Sequence, residues 1–230
     1  MTAVLFADVA GVRPEINAAY QRVVNRWAQP GIVWSATQRL ALWEVVRAAR
    51  TAVELPPWQS PRTVPGLLDP DPALPDAAVD AAWRITNHPG TLTQDWYLQI
   101  IRGGLDPVGY VEVVGIVAMA NSLEYFLAAI DGDAPGVPEP SATPPTGPLP
   151  SVTGSVSSHW VPTTDQDLPN VRKALSATPG ELDMQAVLLD ALYVPGGALA
   201  VELDEKIWSL ERTQVELVAS RVSTLNECFY

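Results

Sequence analysis

Few side chains in this 230-residue chain are equipped for nucleophilic or metal chemistry. It holds one cysteine, Cys228, and two histidines, His88 and His159. The thiolate is the nucleophile, and a cysteine with an ordinary pKa of about 8.5 is mostly protonated at neutral pH, so a reactive Cys228 needs help losing its proton. One cysteine excludes a disulfide framework, and with two histidines it excludes the usual zinc clusters. His88 sits in a turn, Asn87-His88-Pro89-Gly90, and His159 follows a Ser/Thr-rich run; neither has a metal-binding neighbour at ligand spacing. Asp131-Gly132-Asp133 lacks the distal glutamate of a calcium loop and reads as a helix-ending turn. No metal site and no cofactor are expected. Two carboxylates stand out. Glu112 lies in the most apolar stretch, where burial would raise its pKa. Glu216 lies four residues after Arg212, the less favourable order for an ion pair on a helix.

The elements that must carry these residues read as helices. Ala36 to Ala52 places Leu40, Trp43 and Val46 or Arg47 at three-to-four spacing, with Glu44, Arg47 and Arg50 as candidates for the wetter side. Leu105-Asp106-Pro107 supplies an apolar staple, an N-cap and a first-turn proline for the helix beyond it. That helix is apolar on most sides, with small residues at Gly109, Gly115, Ala118 and Ala120, as suits a helix touched by neighbours all round. Leu182 to Tyr193 is a short amphipathic helix stopped by Pro195-Gly196-Gly197. Ser209 is the expected N-cap of the last helix, whose apolar positions include Val215, Leu217, Val218, Val222 and Leu225. No run of alternating strand pattern is present, and the expected fold class is all-α.

Proline marks the breaks. Of 22 prolines, seven lie from Pro56 to Pro75 and seven from Pro135 to Pro150; fixed φ and missing N–H groups make both stretches loops. The second, continuing into a Ser/Thr/Gly-rich run, has almost no large apolar residue and reads as a linker. The expected organisation is therefore a helical lobe over 1–133, a linker over 134–158 and a second lobe over 159–230.

Composition narrows the function classes. A 47% hydrophobic content supports a packed core. The net charge of −12 is shared evenly, −6 in residues 151–230 and the same in the rest, so neither part is a basic module and nucleic-acid binding is not expected. The amino terminus shows no signal-peptide pattern. The longest apolar stretch, Val108 to Ile130, contains Glu112 and Glu124, which a membrane span would have to bury in hydrocarbon. A cytoplasmic protein with no membrane partner is expected.

The most specific stretch is the last one: Glu216-Leu217-Val218, Arg221-Val222-Ser223, Leu225-Asn226, Cys228 and Tyr230. It resembles the redox helix of the alkylhydroperoxidase D-like and carboxymuconolactone decarboxylase superfamily, which reads E-L-V-x-x-R-V-S-x-L-N-x-C-x-Y-C with a histidine one turn later. Pro169-Asn170-Val171 to Leu175, with Thr178-Pro179-Gly180, is similar to the lead-in of its peroxidase-related branch. Trp83 to Trp96 and the helix from Tyr110 to Ile130 resemble the closing half of such a domain. The resemblance implies two AhpD-like helical lobes, a homo-oligomer, and peroxidase chemistry on a hydroperoxide with a thiol electron donor. In that chemistry a glutamate, through water and histidine, helps deprotonate the second cysteine; this attacks the peroxide, and the first cysteine resolves the sulfenic acid as a disulfide. Carried over, Cys228 matches the resolving cysteine and Glu216 the relay glutamate twelve positions upstream.

The match departs from the family where it matters most. The sequence ends at Tyr230, one residue before the position of the attacking cysteine, and the relay histidine is absent. Two explanations are open: a truncated gene, or a selenocysteine at the next position encoded by a codon read as stop, which would make the protein a selenol peroxidase. Either way, the 230-residue chain is expected to be nearly inactive alone. Setting Glu44-Val45-Val46 against Glu216-Leu217-Val218 places Pro56-Pro57-Trp58-Gln59 where Cys228 and its followers fall, so the first lobe reads as a copy without a thiol. Two other functions stay open: a cofactor-free carboxymuconolactone decarboxylase-like lyase, which needs no cysteine pair, and a non-catalytic helical oligomer subunit.

Overall fold

A computed structural model describes residues 11–68, 73–147, 159–193, 206–207 and 209–225. The protein is all-α. Among the described residues there are eight α-helices: α1 (Pro14–Trp27), α2 (Ala36–Thr51), α3 (Asp76–Asn87), α4 (Gln94–Arg102), α5 (Pro107–Ala129), α6 (Asn170–Lys173), α7 (Pro179–Leu192) and α8 (Arg212–Leu225). The described strand structure is a two-residue antiparallel ladder, β1 (Lys206–Ile207) with β2 (Leu210–Glu211).

Local chemistry sets the helix starts. Ser35 caps α2 in a reciprocal box: its hydroxyl accepts from Gln38 N at 3.3 Å, and Gln38 Oε1 accepts from Ser35 N at 3.0 Å. Asp106 caps α5 by accepting from Gly109 N at 2.8 Å, with Pro107 in the first turn as the sequence predicts. Thr93 does the same for α4 through Trp96 N. At the other end of α5, Asp131 adopts φ 52° and Gly132 N returns to Leu127 O at 2.9 Å, which closes the helix with the expected turn.

The central element is α5. It packs against α2, α3 and α7, and α1 lies mainly against α7. Its Val113, Ile116, Val117, Ala120 and Leu123 are completely buried. By length and composition α5 could cross a bilayer, but here its apolar surface is taken up by neighbouring helices. Ala118, Tyr125, Ala128 and Ala129 are exceptions that face outward, contrary to the expectation of contacts all round. On α2 the predicted face is the buried one, with Leu40, Trp43 and Val46 inside and Glu44 exposed. Trp43 tilts against Trp27 of α1 at 5.0 Å between ring centroids.

Leu188 and Ala191 of α7 join the same apolar core as α1, α2, α3 and α5. The proline-rich stretch before residue 148 is laid along the helices rather than projecting from them. Ser141 N donates to Ala28 O, Thr146 N to Gly31 O and Gly147 N to Ile32 O, while Arg47 reaches Pro135 O. Backbone groups that proline-rich chain cannot pair internally are thereby satisfied against the α1–α2 connection.

The last helix departs from expectation. Ser209 lies in the turn between β1 and β2, and α8 begins at Arg212, so Ser209 is not its N-cap. Leu217, Val218, Val222 and Leu225 of α8 are all more than half exposed. The Pro195-Gly196-Gly197 stop lies outside the described residues.

Candidate functional site

Glu216 sits in the second turn of α8. Its Oε2 accepts from the Tyr193 hydroxyl at 2.7 Å, and its Oε1 accepts from Arg212 Nε at 2.5 Å. Tyr193 immediately follows α7, so these bonds tie α8 to the end of that helix. The Tyr193 hydrogen bond, followed by the Arg212 bond and charge, holds the Glu216 carboxyl below the usual carboxylate range. Burial and the Glu216 carboxylate push the Tyr193 phenol upward in turn. The arrangement is an ionised carboxylate with a positioned hydroxyl donor, at the start of the helix whose sequence leads toward Cys228. The Arg212 pairing forms despite the less favourable order along the helix, with Tyr193 holding the carboxylate from the other side. Cys228 itself lies outside the described residues.

A second cluster is fully buried. Arg39 of α2 has no solvent exposure; one end of its guanidinium meets Glu112 Oε1 of α5, and Nη2 meets Glu181 Oε1 of α7 at 2.6 Å. Glu112 Oε2 accepts backbone N–H groups from Ile32 at 3.1 Å and Val33 at 3.0 Å, with Trp34 N at 3.5 Å. Gly31 makes this cradle possible, since a Cβ there would fall 1.5 Å from Glu112 Oε1. Gly115 likewise leaves room for Glu181, whose Cγ would lie 2.6 Å from a Cβ. Arg26 of α1, partly exposed, lies within charge range of the cluster without pairing to its carboxylates. It donates to Pro30 O at 2.7 Å, and burial, then the Arg39 charge, lower its pKa.

Burial raises the Glu112 pKa, as its apolar setting in the sequence implies; the Arg39 charge works against that rise and Glu181 adds to it. The cluster thus joins α2, α5 and α7 through one shared cation. Sequence reasoning found Glu112 but missed Arg39 and Glu181. The available signal was an arginine on the apolar face of α2, one residue before Leu40.

His88 follows the C-terminus of α3 and its Nε2 bonds Leu55 O at 2.6 Å, which requires a proton on that nitrogen. Among the described residues no group of His, Cys, Asp and Glu is arranged to hold a metal ion.

No family model, no curated protein and no solved structure matches this chain.

Proposed function

We propose that this chain is an alkylhydroperoxidase D-like thiol peroxidase component, with Glu216 as its proton-relay carboxylate and Cys228 as its resolving thiol. The observation that carries the reading is the placement of Glu216. Its carboxylate is bonded from two sides by Tyr193 and Arg212, twelve residues before the cysteine on the run that resembles the family's redox helix. The all-α fold is of the class this reading requires. The reaction takes a hydroperoxide as substrate: an attacking thiolate (or selenolate) receives the terminal oxygen and releases an alcohol. The Cys228 thiol then displaces water from the resulting sulfenic acid to form a disulfide, and an external thiol donor restores both groups. A carboxylate kept charged beside a hydroxyl can accept and return protons through that hydroxyl or through water.

The test uses the 230-residue chain and a variant extended by one cysteine after Tyr230. With cumene hydroperoxide and dithiothreitol, the unextended chain is expected to give negligible turnover. The extended chain is expected to form one intramolecular disulfide per equivalent of peroxide, seen as loss of two free thiols and a mass decrease of two hydrogens. Substituting Glu216→Gln in the extended chain should slow that oxidation about tenfold or more, the usual scale of a proton-transfer contribution being about 10²–10⁴. Disulfide formation no faster than between free thiols, or an unchanged rate with Glu216→Gln, would overturn the proposal.

A further inference from the structure

Away from α8, the loop 56–61, α3 and α4 enclose a cleft of about 470 Å³, within the roughly 300–1,000 Å³ of small-molecule sites. Trp58, Trp83 and Trp96 line it, together with Pro56 and Pro57. Trp58 is 83% exposed, so core packing does not explain an indole at this place. The loop that carries it is held in shape. Gln59 N closes a turn on Pro56 O at 3.0 Å, and the Ser60 hydroxyl donates to Asp80 of α3 at 2.5 Å.

The charge pattern of the cleft is uneven. Arg84 of α3 is fixed by Thr91, with Nε on the hydroxyl at 3.0 Å and Nη2 on the carbonyl at 2.8 Å, and its guanidinium lies 4.8 Å from the Trp96 ring centroid. Its Nη1 has no protein partner among the described residues, and no carboxylate pairs with it there. Asp80, the other charged group in the lining, lies one turn before Arg84 on α3 and accepts from the Ser60 hydroxyl rather than pairing with Arg84. Burial lowers the Arg84 pKa and raises that of Asp80, as expected for a partly dehydrated lining. The cleft therefore presents an oriented cation with an open Nη1 beside tryptophan surface, and one turn away on the same helix a carboxyl group, bonded by Ser60, that disfavours a second anion.

We infer that this cleft binds a planar aromatic monocarboxylate, its ring against the tryptophan surface and its carboxylate on the open edge of the Arg84 guanidinium. The guanidinium is the natural receptor for such a group because its N–H donors match carboxylate geometry, and one unpaired nitrogen is already held rigidly in place. Ring stacking supplies the remaining affinity and selects planar ligands over flexible chains.

Isothermal titration calorimetry on the full chain tests this with three probes: 1-naphthoate, its neutral amide 1-naphthamide, and octanoate. The expected result is saturable one-to-one binding of naphthoate, with the amide and octanoate each at least tenfold weaker. Arg84→Gln should weaken naphthoate about tenfold or more while leaving the amide unchanged. Trp58→Ala, at a site so exposed that folding is not at stake, should weaken both aromatic probes severalfold. No saturable binding of naphthoate at millimolar concentration would overturn the inference. So would equal affinity for acid and amide, equal affinity for octanoate, or indifference to Trp58→Ala.

Discussion

Removing the shared cation at the centre of the molecule should reveal what it holds together. Arg39→Met keeps most of the side-chain volume but leaves Glu112 and Glu181, both essentially without solvent exposure, facing each other without it. Two charge-assisted hydrogen bonds disappear, each worth about 1.5–3 kcal/mol. Breaking a buried ion pair by removing one partner costs about 3–5 kcal/mol by direct comparison. Arg26 and the three backbone donors to Glu112 remain, so a loss of about 4 kcal/mol near pH 8 is expected.

The pH dependence gives the reasoning a second handle. Burial already raises the Glu112 pKa, and without Arg39 the rise must be larger. The folded variant then holds a proton that the unfolded chain releases above about pH 4.3. Stability consequently falls as pH increases from there through the raised folded value, at about 1.4 kcal/mol for each unit of rise. The penalty of the substitution should therefore be smaller at pH 5 than at pH 8. Urea unfolding at both pH values, followed by far-UV circular dichroism and tryptophan fluorescence, measures it directly. Adding Glu112→Gln and Glu181→Gln to Arg39→Met should recover more than half the loss, because no uncompensated charge is left. A cost below about 1 kcal/mol at pH 8, or the same cost at pH 5, would refute this account.

Two further outcomes follow from the geometry. Gly31→Ala places a methyl group inside contact distance of Glu112 Oε1 and should cost about 3 kcal/mol, the upper part of the overpacking range, read as a lower urea midpoint at unchanged slope. In a carboxyl-detected NMR titration, Glu216 should titrate below the ordinary glutamate range and move upward in Tyr193→Phe. Since its folded pKa is lowered, the contribution of this contact is present above the unfolded value and lost as pH falls through the folded one. An unchanged titration in Tyr193→Phe would mean that the 2.7 Å contact does not hold the carboxylate.

The amino-acid sequence by itself determined the helical character of the chain and the placement of its best-marked elements. Leu40, Trp43 and Val46 identify the buried face of α2, and Asp106 with Pro107 marks the start of α5, because capping and 3.6-residue periodicity are local properties. Local pattern also singled out Glu112 as an acid in apolar surroundings. What covers each face was decided by the tertiary structure. Arg39 and Glu181 meet across 142 residues of chain, and no local spacing announces a pair whose distance is set by how α2, α5 and α7 pack. The same holds for Ala118, small yet facing outward, and for α8, whose Leu217, Val218, Val222 and Leu225 stand exposed although their spacing is that of a buried face. Periodicity says which side of a helix is apolar; the packing of the other helices decides whether anything is there to receive it.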